Sequence, residues 1–138
     1  MTGYRSGFVA APPDVVAALK AYRPTVGTAP QEFVQRASVV AWNDERHVEE
    51  TRERYRAKRD VLMPAIRARN WEIVASDATM YLWVAVPDAD ALTEQLLERG
   101  ILVSPGTFFG PSGAGYIRFA LVPTVEECER AAEILRML

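Results

Sequence analysis

The stretch from Glu45 to Asn70, ERHVEETRERYRAKRDVLMPAIRARN, limits what this chain can become more than any other. It reads as one helix dense in charge, with a thin apolar stripe of Val48, Tyr55 and Leu62 spaced a heptad apart. A helix this polar cannot be enclosed by a core, so it lies across a surface or bridges two bodies. Its arginines are interleaved with glutamates, the local field largely cancels, and nucleic acid is not an expected partner. Pro64 removes a helix hydrogen bond and predicts a kink over 60–64. The chain is therefore expected to divide into residues 1–44, a bridging helix over 45–70, and a C-terminal domain over 71–138.

Ahead of the helix, Phe8-Val9-Ala10-Ala11 predicts a short buried strand stopped by Pro12-Pro13. Proline suits a first helical turn, so a helix starts there, with Val15, Val16, Leu19 and Tyr22 as its apolar face. Arg23-Pro24-Thr25-Val26-Gly27 should break it. Thr28 and Gln31 have the spacing of a capping box for a second helix, in which Phe33, Val34, Ala37, Val40 and Ala41 bury one face. Asn43-Asp44 interrupts it.

Beyond the charged helix, strands and helices alternate. Trp71–Ala75 and Met80–Val86 read as strands, the second rich in strong β-formers. Asp88 or Asp90 caps a helix bearing Leu92, Leu96 and Leu97, which Gly100 ends. Ile101–Ser104 is a short strand, PGTFFGPSGAG a loop, and Tyr116–Leu121 another strand. Thr124 and Glu127 form a capping box opening a final helix. The order β-β-α-β-β-α predicts a small α/β layer with its helices on one face. The chain of 138 residues is 49% hydrophobic, and a domain of this size buries roughly 68% of its unfolded surface.

Composition closes several routes. A net charge of −2 gives no electrostatic pull toward nucleic acid or an anionic membrane. The single cysteine, Cys128, cannot form an internal disulfide, and the single histidine, His47, cannot supply a metal cluster, so no metal site is expected. No apolar run approaches the roughly 18 residues that span a bilayer. A reduced, cytoplasmic protein is the expectation.

Three features carry possible chemistry. The glycine-containing loop over 105–115 lacks the Lys-Ser/Thr ending of a phosphate loop and matches no dinucleotide fingerprint, which leaves a flexible connection. Arg118 sits mid-strand in GYIRFAL, with Ile117, Phe119 and Leu121 on one face and Tyr116 and Ala120 beside it on the other. A partly desolvated guanidinium there needs an anionic or carbonyl partner. That partner is either one of the chain's 18 acidic residues, in a structural ion pair, or a ligand carboxylate held bidentately. Arg5, between Gly3 and Gly7, suits a phosphate or carboxylate that approaches the backbone closely. His47 has no role beyond a helix surface.

In combination these residues resemble a known family. MTGYRSGF is similar to the segment following the cofactor lysine in fold-type I, class I/II aminotransferases that use pyridoxal 5'-phosphate. The family pattern runs Ser-x-x-Lys, several residues, then Gly-x-Arg-x-Gly-Phe, and Gly3, Arg5, Gly7 and Phe8 occupy the matching places. ILVSPGTFFGPSGAGYIRFAL is similar to the family's C-terminal signature, whose strand arginine is matched by Arg118. AYRPTVGTAPQEFVQRASVVAWNDERHVEETRERYRAKRD most resembles the N-succinyldiaminopimelate aminotransferases of lysine biosynthesis.

The resemblance implies a fold-type I α/β architecture, with residues 1–44 from the large cofactor-binding domain. It implies that Arg5 binds the cofactor phosphate, that Arg118 binds the substrate α-carboxylate, and that Thr25, Gly27 and Thr28 reach a neighbouring subunit of a homodimer. Amino-acid and 2-oxo-acid substrates are implied with it, glutamate and 2-oxoglutarate among them. The Schiff-base lysine falls upstream of Met1 in this register. The expectation is a C-terminal piece of a longer enzyme, inactive alone, with no catalytic residue of its own. Two alternatives stay open: a non-catalytic binding domain derived from this fold, and a class I aminotransferase for dicarboxylic or aromatic amino acids.

Overall fold

The computed structural model describes residues 3–27, 29–77 and 80–138. The chain forms two compact units, Met1–Glu49 and Glu50–Leu138.

Among the described residues, the first unit holds a lead-in, two complete helices and the start of a third. No strand forms over Phe8–Ala11, and among the described residues no neighbouring strand offers it backbone partners; the stretch is irregular and mostly exposed, with Phe8 74% accessible. Phe8 instead meets Trp42 edge-on, with centroids 5.5 Å apart. Helix α1 spans Pro13–Val26 and starts at the proline pair as expected. It does not break at Arg23. Pro24 lies in its last turn, where a missing N–H forfeits one bond, and Gly27 N–H closes that turn on Arg23 O at 3.0 Å. None of the α1 face is buried.

Helix α2, Glu32–Trp42, is capped at Gln31 without a side-chain bond; Thr28, the other half of the expected capping box, lies outside the described residues. Of the expected face only Val34 is buried, joined by Ser38, while Phe33 and Val40 are exposed. Ser38 satisfies its hydroxyl by donating to Val34 O at 2.7 Å and by pairing with Ser6 Oγ at 2.6 Å.

Helix α3, Glu45–Ala68, begins after the Asn43-Asp44 interruption, where Asp44 Oδ1 accepts from Arg46 N–H at 3.1 Å. It runs through Pro64 as a single helix. Its polar N-terminal turns are exposed, yet Leu62, Ala65 and Ile66 are buried, so its last turns join the core despite their charge. Asn70, at φ 58, turns the chain out of the helix, a left-handed conformation that asparagine tolerates.

The remainder of the second unit follows the expected order: β1 Glu72–Ala75, β2 Tyr81–Ala85, α4 Ala89–Glu98, β3 Ser104–Pro105, β4 Tyr116–Ala120 and α5 Val125–Met137. The sheet is antiparallel in the order β1-β2-β4-β3. Asp88 caps α4 by accepting from Ala91 N–H at 3.0 Å, and Gly100, at φ 81, follows its end. The Thr124–Glu127 capping box of α5 is fully formed. The third strand is shorter and later than Ile101–Ser104; Ile101 and Val103 are buried but unpaired in the sheet.

Alternation sorts the two faces of the sheet. Leu82, Val84, Ile117 and Phe119 point inward to Leu62 and Ile66 of α3, Leu96 of α4 and Leu135 of α5. Tyr81, Trp83, Tyr116 and Arg118 are half-buried on the opposite face.

Candidate functional site

Register brings the open face together. Trp83 and Ser104 both lie directly opposite Arg118, on the strands either side of β4. Opposed residues in an antiparallel pair share a face, so the guanidinium emerges between an indole and a hydroxyl. Trp83 stacks on Tyr116, with centroids 5.6 Å apart and planes at 21°. It also meets Phe109 edge-on at 5.6 Å.

Phe109 belongs to the loop after β3, which forms two short 3-10 turns, Gly106–Phe109 and Pro111–Gly113. The loop is pinched at its neck. A Cβ on Gly106 would run into Gly113 O, and one on Gly113 into Gly106 O, so only glycine fits at both places. This footing sets Phe109 over Arg118, with ring centroid and guanidinium carbon 4.3 Å apart. The Tyr81 ring lies at the same 4.3 Å.

Arg118 is therefore held by rings and not by charge. Among the described residues no carboxylate pairs with it. Nη2 donates toward Ser104 Oγ at a long 3.4 Å, and the buried Nε has no hydrogen-bond partner. Of the two partners the sequence allowed, the structural ion pair does not form among the described residues, which leaves a half-buried cation able to accept an external carboxylate.

The other expected site residues lie in the first unit. Arg5 is exposed and adopts left-handed backbone, φ 56, an uncommon choice for a non-glycine residue. Neither Gly3 nor Gly7 has another part of the chain within 4 Å of a would-be Cβ, so the ground around Arg5 is open. An exposed guanidinium on open backbone fits a phosphate group in charge and access. Thr25 is exposed and donates to Tyr22 O at 2.7 Å; Gly27 is extended just beyond α1; Thr28 lies outside the described residues. His47 sits on the surface of α3 with Nδ1 3.2 Å from Asp44 Oδ2. No group of three potential metal ligands occurs among the described residues.

Sequence reading did not find Tyr81, Trp83 and Phe109 as neighbours of Arg118. The alternation of MYLWVAV carried the signal for the first two; Phe109 depends on the loop closure. A separate recess of about 480 Å³, lined by Leu62, Phe119, Cys128 and Ile134 among others, lies on the helix side and gathers no reactive constellation.

The model of the family "Aminotransferase class I and II" matches residues 1–135. A probable aminotransferase of Mycobacterium tuberculosis is 41% identical over 133 residues, which is 95% of this chain and 32% of that protein. An LL-diaminopimelate aminotransferase of Halothermothrix orenii is 33% identical, over 99% of this chain and 36% of its own length. A solved structure titled as a probable N-succinyldiaminopimelate aminotransferase from Thermus thermophilus superposes with a TM-score of 0.77 at 30% identity, covering 90% of this chain and 34% of that one. The chain thus spans about a third of the length of these relatives. With a family model matched almost from end to end, and the α/β architecture of fold-type I neighbours, the chain belongs to the pyridoxal-phosphate-dependent aminotransferases of class I and II.

Proposed function

We propose that this chain supplies the substrate-carboxylate site of an aminotransferase that moves an amino group between an amino acid and a 2-oxo acid. The observation that carries this is Arg118: a half-buried guanidinium on the open sheet face, with no carboxylate partner among the described residues. A ligand carboxylate there would take two parallel N–H bonds and fix the α-carbon relative to the reacting group. Arg5 would hold the cofactor phosphate. The cofactor supplies an electron sink when bound, while the protein supplies orientation and charge pairing.

Neither lysine of the chain suits covalent attachment in this reading. Lys58 donates to Leu121 O and Val122 O at 3.1 and 3.3 Å, and Lys20 lies on the exposed side of α1. In the same reading the chain alone is inactive, and Thr25 and Gly27 face the neighbouring subunit of a homodimer. N-succinyldiaminopimelate, with glutamate and 2-oxoglutarate, is the favoured substrate set, supported by the diaminopimelate-directed names of two relatives. The aromatic walls beside Arg118 favour one second reading, an aromatic amino acid as donor.

The test is a chimera in which this chain replaces the aligned third of the Mycobacterium tuberculosis relative. Transamination should be retained, and assays with diaminopimelate derivatives and aromatic amino acids separate the two substrate readings. Arg118→Lys in the chimera keeps the charge but loses the fork. A charged hydrogen bond is worth about 1.5–3 kcal/mol, so kcat/KM should fall roughly ten- to a hundred-fold. Unchanged kcat/KM with a lowered melting temperature would remove Arg118 from the site.

A further inference from the structure

We infer that Tyr81 and Phe109 are positioning residues for Arg118, and that their rings, in place of a protein carboxylate, fix its guanidinium for an incoming one. The inference rests on the proposed carboxylate site and deepens it.

An arginine that must bind a ligand carboxylate faces two opposed requirements. It has to be held still, because its long side chain otherwise loses rotamer freedom on binding. It must also stay unneutralised, because a resident carboxylate would compete for the same donors. Aromatic faces meet both, attracting the cation through their quadrupole without occupying its in-plane N–H groups.

Arg118 has this arrangement. Two rings lie 4.3 Å from its central carbon. One hydrogen bond, long at 3.4 Å, reaches Ser104 from one terminal nitrogen. Nε is buried without a partner, a loss compensated only where the charge gains something else nearby. The two rings come from parts of the fold of different stiffness. Tyr81 is on β2, one alternation from Trp83 on the same face of the sheet. Phe109 stands on the glycine-pinched loop and is itself braced edge-on by Trp83. The indole thus supports the arginine through Phe109.

The experiment uses the full 138-residue chain and the Nε–Hε resonance of Arg118, assigned through Arg118→Lys. In the wild type, Hε should be shifted upfield by the rings, exchange slowly, and show an order parameter near the rigid-backbone value of about 0.85. Tyr81→Phe keeps the ring and should keep all three. Tyr81→Leu and Phe109→Leu should relax the shift and drop the order parameter below about 0.6. Succinate serves as the carboxylate probe. Its affinity should be within about twofold of wild type for Tyr81→Phe and roughly five- to thirty-fold weaker for either leucine variant. A rigid, upfield Arg118 that survives both leucine substitutions overturns the inference. Succinate binding unaffected by Arg118→Ala overturns instead the carboxylate site on which it rests, and the resonance data then still decide whether the rings hold the side chain. Phe109 is 51% accessible, so its leucine variant leaves the core intact and keeps the test readable if Tyr81→Leu fails to fold.

Discussion

Arg118 shows how a single residue changes meaning with its surroundings. In the sequence, an arginine among β-formers allowed both an ion pair and a ligand site, because any of many carboxylates could have folded against it. The register decides: its opposed residues are Trp83 and Ser104, neither of them acidic. Cys128 is a contrasting case. Burial pushes its thiol above the ordinary range, Lys58 pulls it slightly back, and Glu127 adds to the rise. The folded state then holds the proton longer than the unfolded one. This contribution is fully present below the unfolded thiol's pKa and fades as pH climbs from there through the raised value. Urea midpoints measured from about pH 7 to 10, a range that brackets the ordinary thiol pKa, should fall more steeply for the wild type than for Cys128→Ala. Parallel curves would show that the thiol contributes no pH dependence.

Elements were legible where local chemistry alone fixes them. The α5 capping box needs only Thr124 and Glu127, and both of its bonds form, Thr124 N–H to Glu127 Oε2 at 2.7 Å and Glu127 N–H to Thr124 Oγ1 at 3.2 Å. β2 and β4 follow from alternation between two environments. The lead-in at Phe8–Ala11 misled because composition marks a capacity for strand, while a strand exists only where another pairs with it. Ile101–Ser104 misled for a related reason: apolar residues can fill a core from irregular backbone. The loop of residues 106–113 was the least legible, since its shape comes from two backbones touching and no side-chain pattern records that. Gly113→Ala should therefore cost about 1–3 kcal/mol through forced separation of the neck. It should also release Phe109 from Arg118, read as lost ring-current shift at Arg118. A variant as stable as wild type, with that shift retained, would refute the pinched geometry.

At the scale of the whole molecule, the two units differ in how much they bury. Among the described residues, Glu50–Leu138 encloses a continuous core, whereas the helices α1 and α2 of Met1–Glu49 contribute only Val34 and Ser38 as buried residues. Tyr4, Phe8, Val9, Tyr22, Phe33 and Val40 are all exposed there. Unfolding enthalpy follows buried structure at about 0.7 kcal/mol per residue near 60 °C. The main calorimetric transition of the isolated chain should thus carry about 60 kcal/mol, as for the second unit alone, and not about 95 as for the full length. Hydrogen exchange should show Val34 and Ser38 amides opening before those of Leu82 and Ile117. One cooperative transition with the larger enthalpy and uniform protection would mean that the chain melts as one body.

The neck formed by Gly106 and Gly113 also bears on how such a molecule can diversify. Because bare backbone closes it, the residues it carries are uncoupled from the footing beneath. Thr107 through Ser112 form a cassette: exchanging them alters what stands over Arg118 without asking any core residue to move. New ligand preferences can then arise by editing a few exposed positions, while the architecture is inherited unchanged.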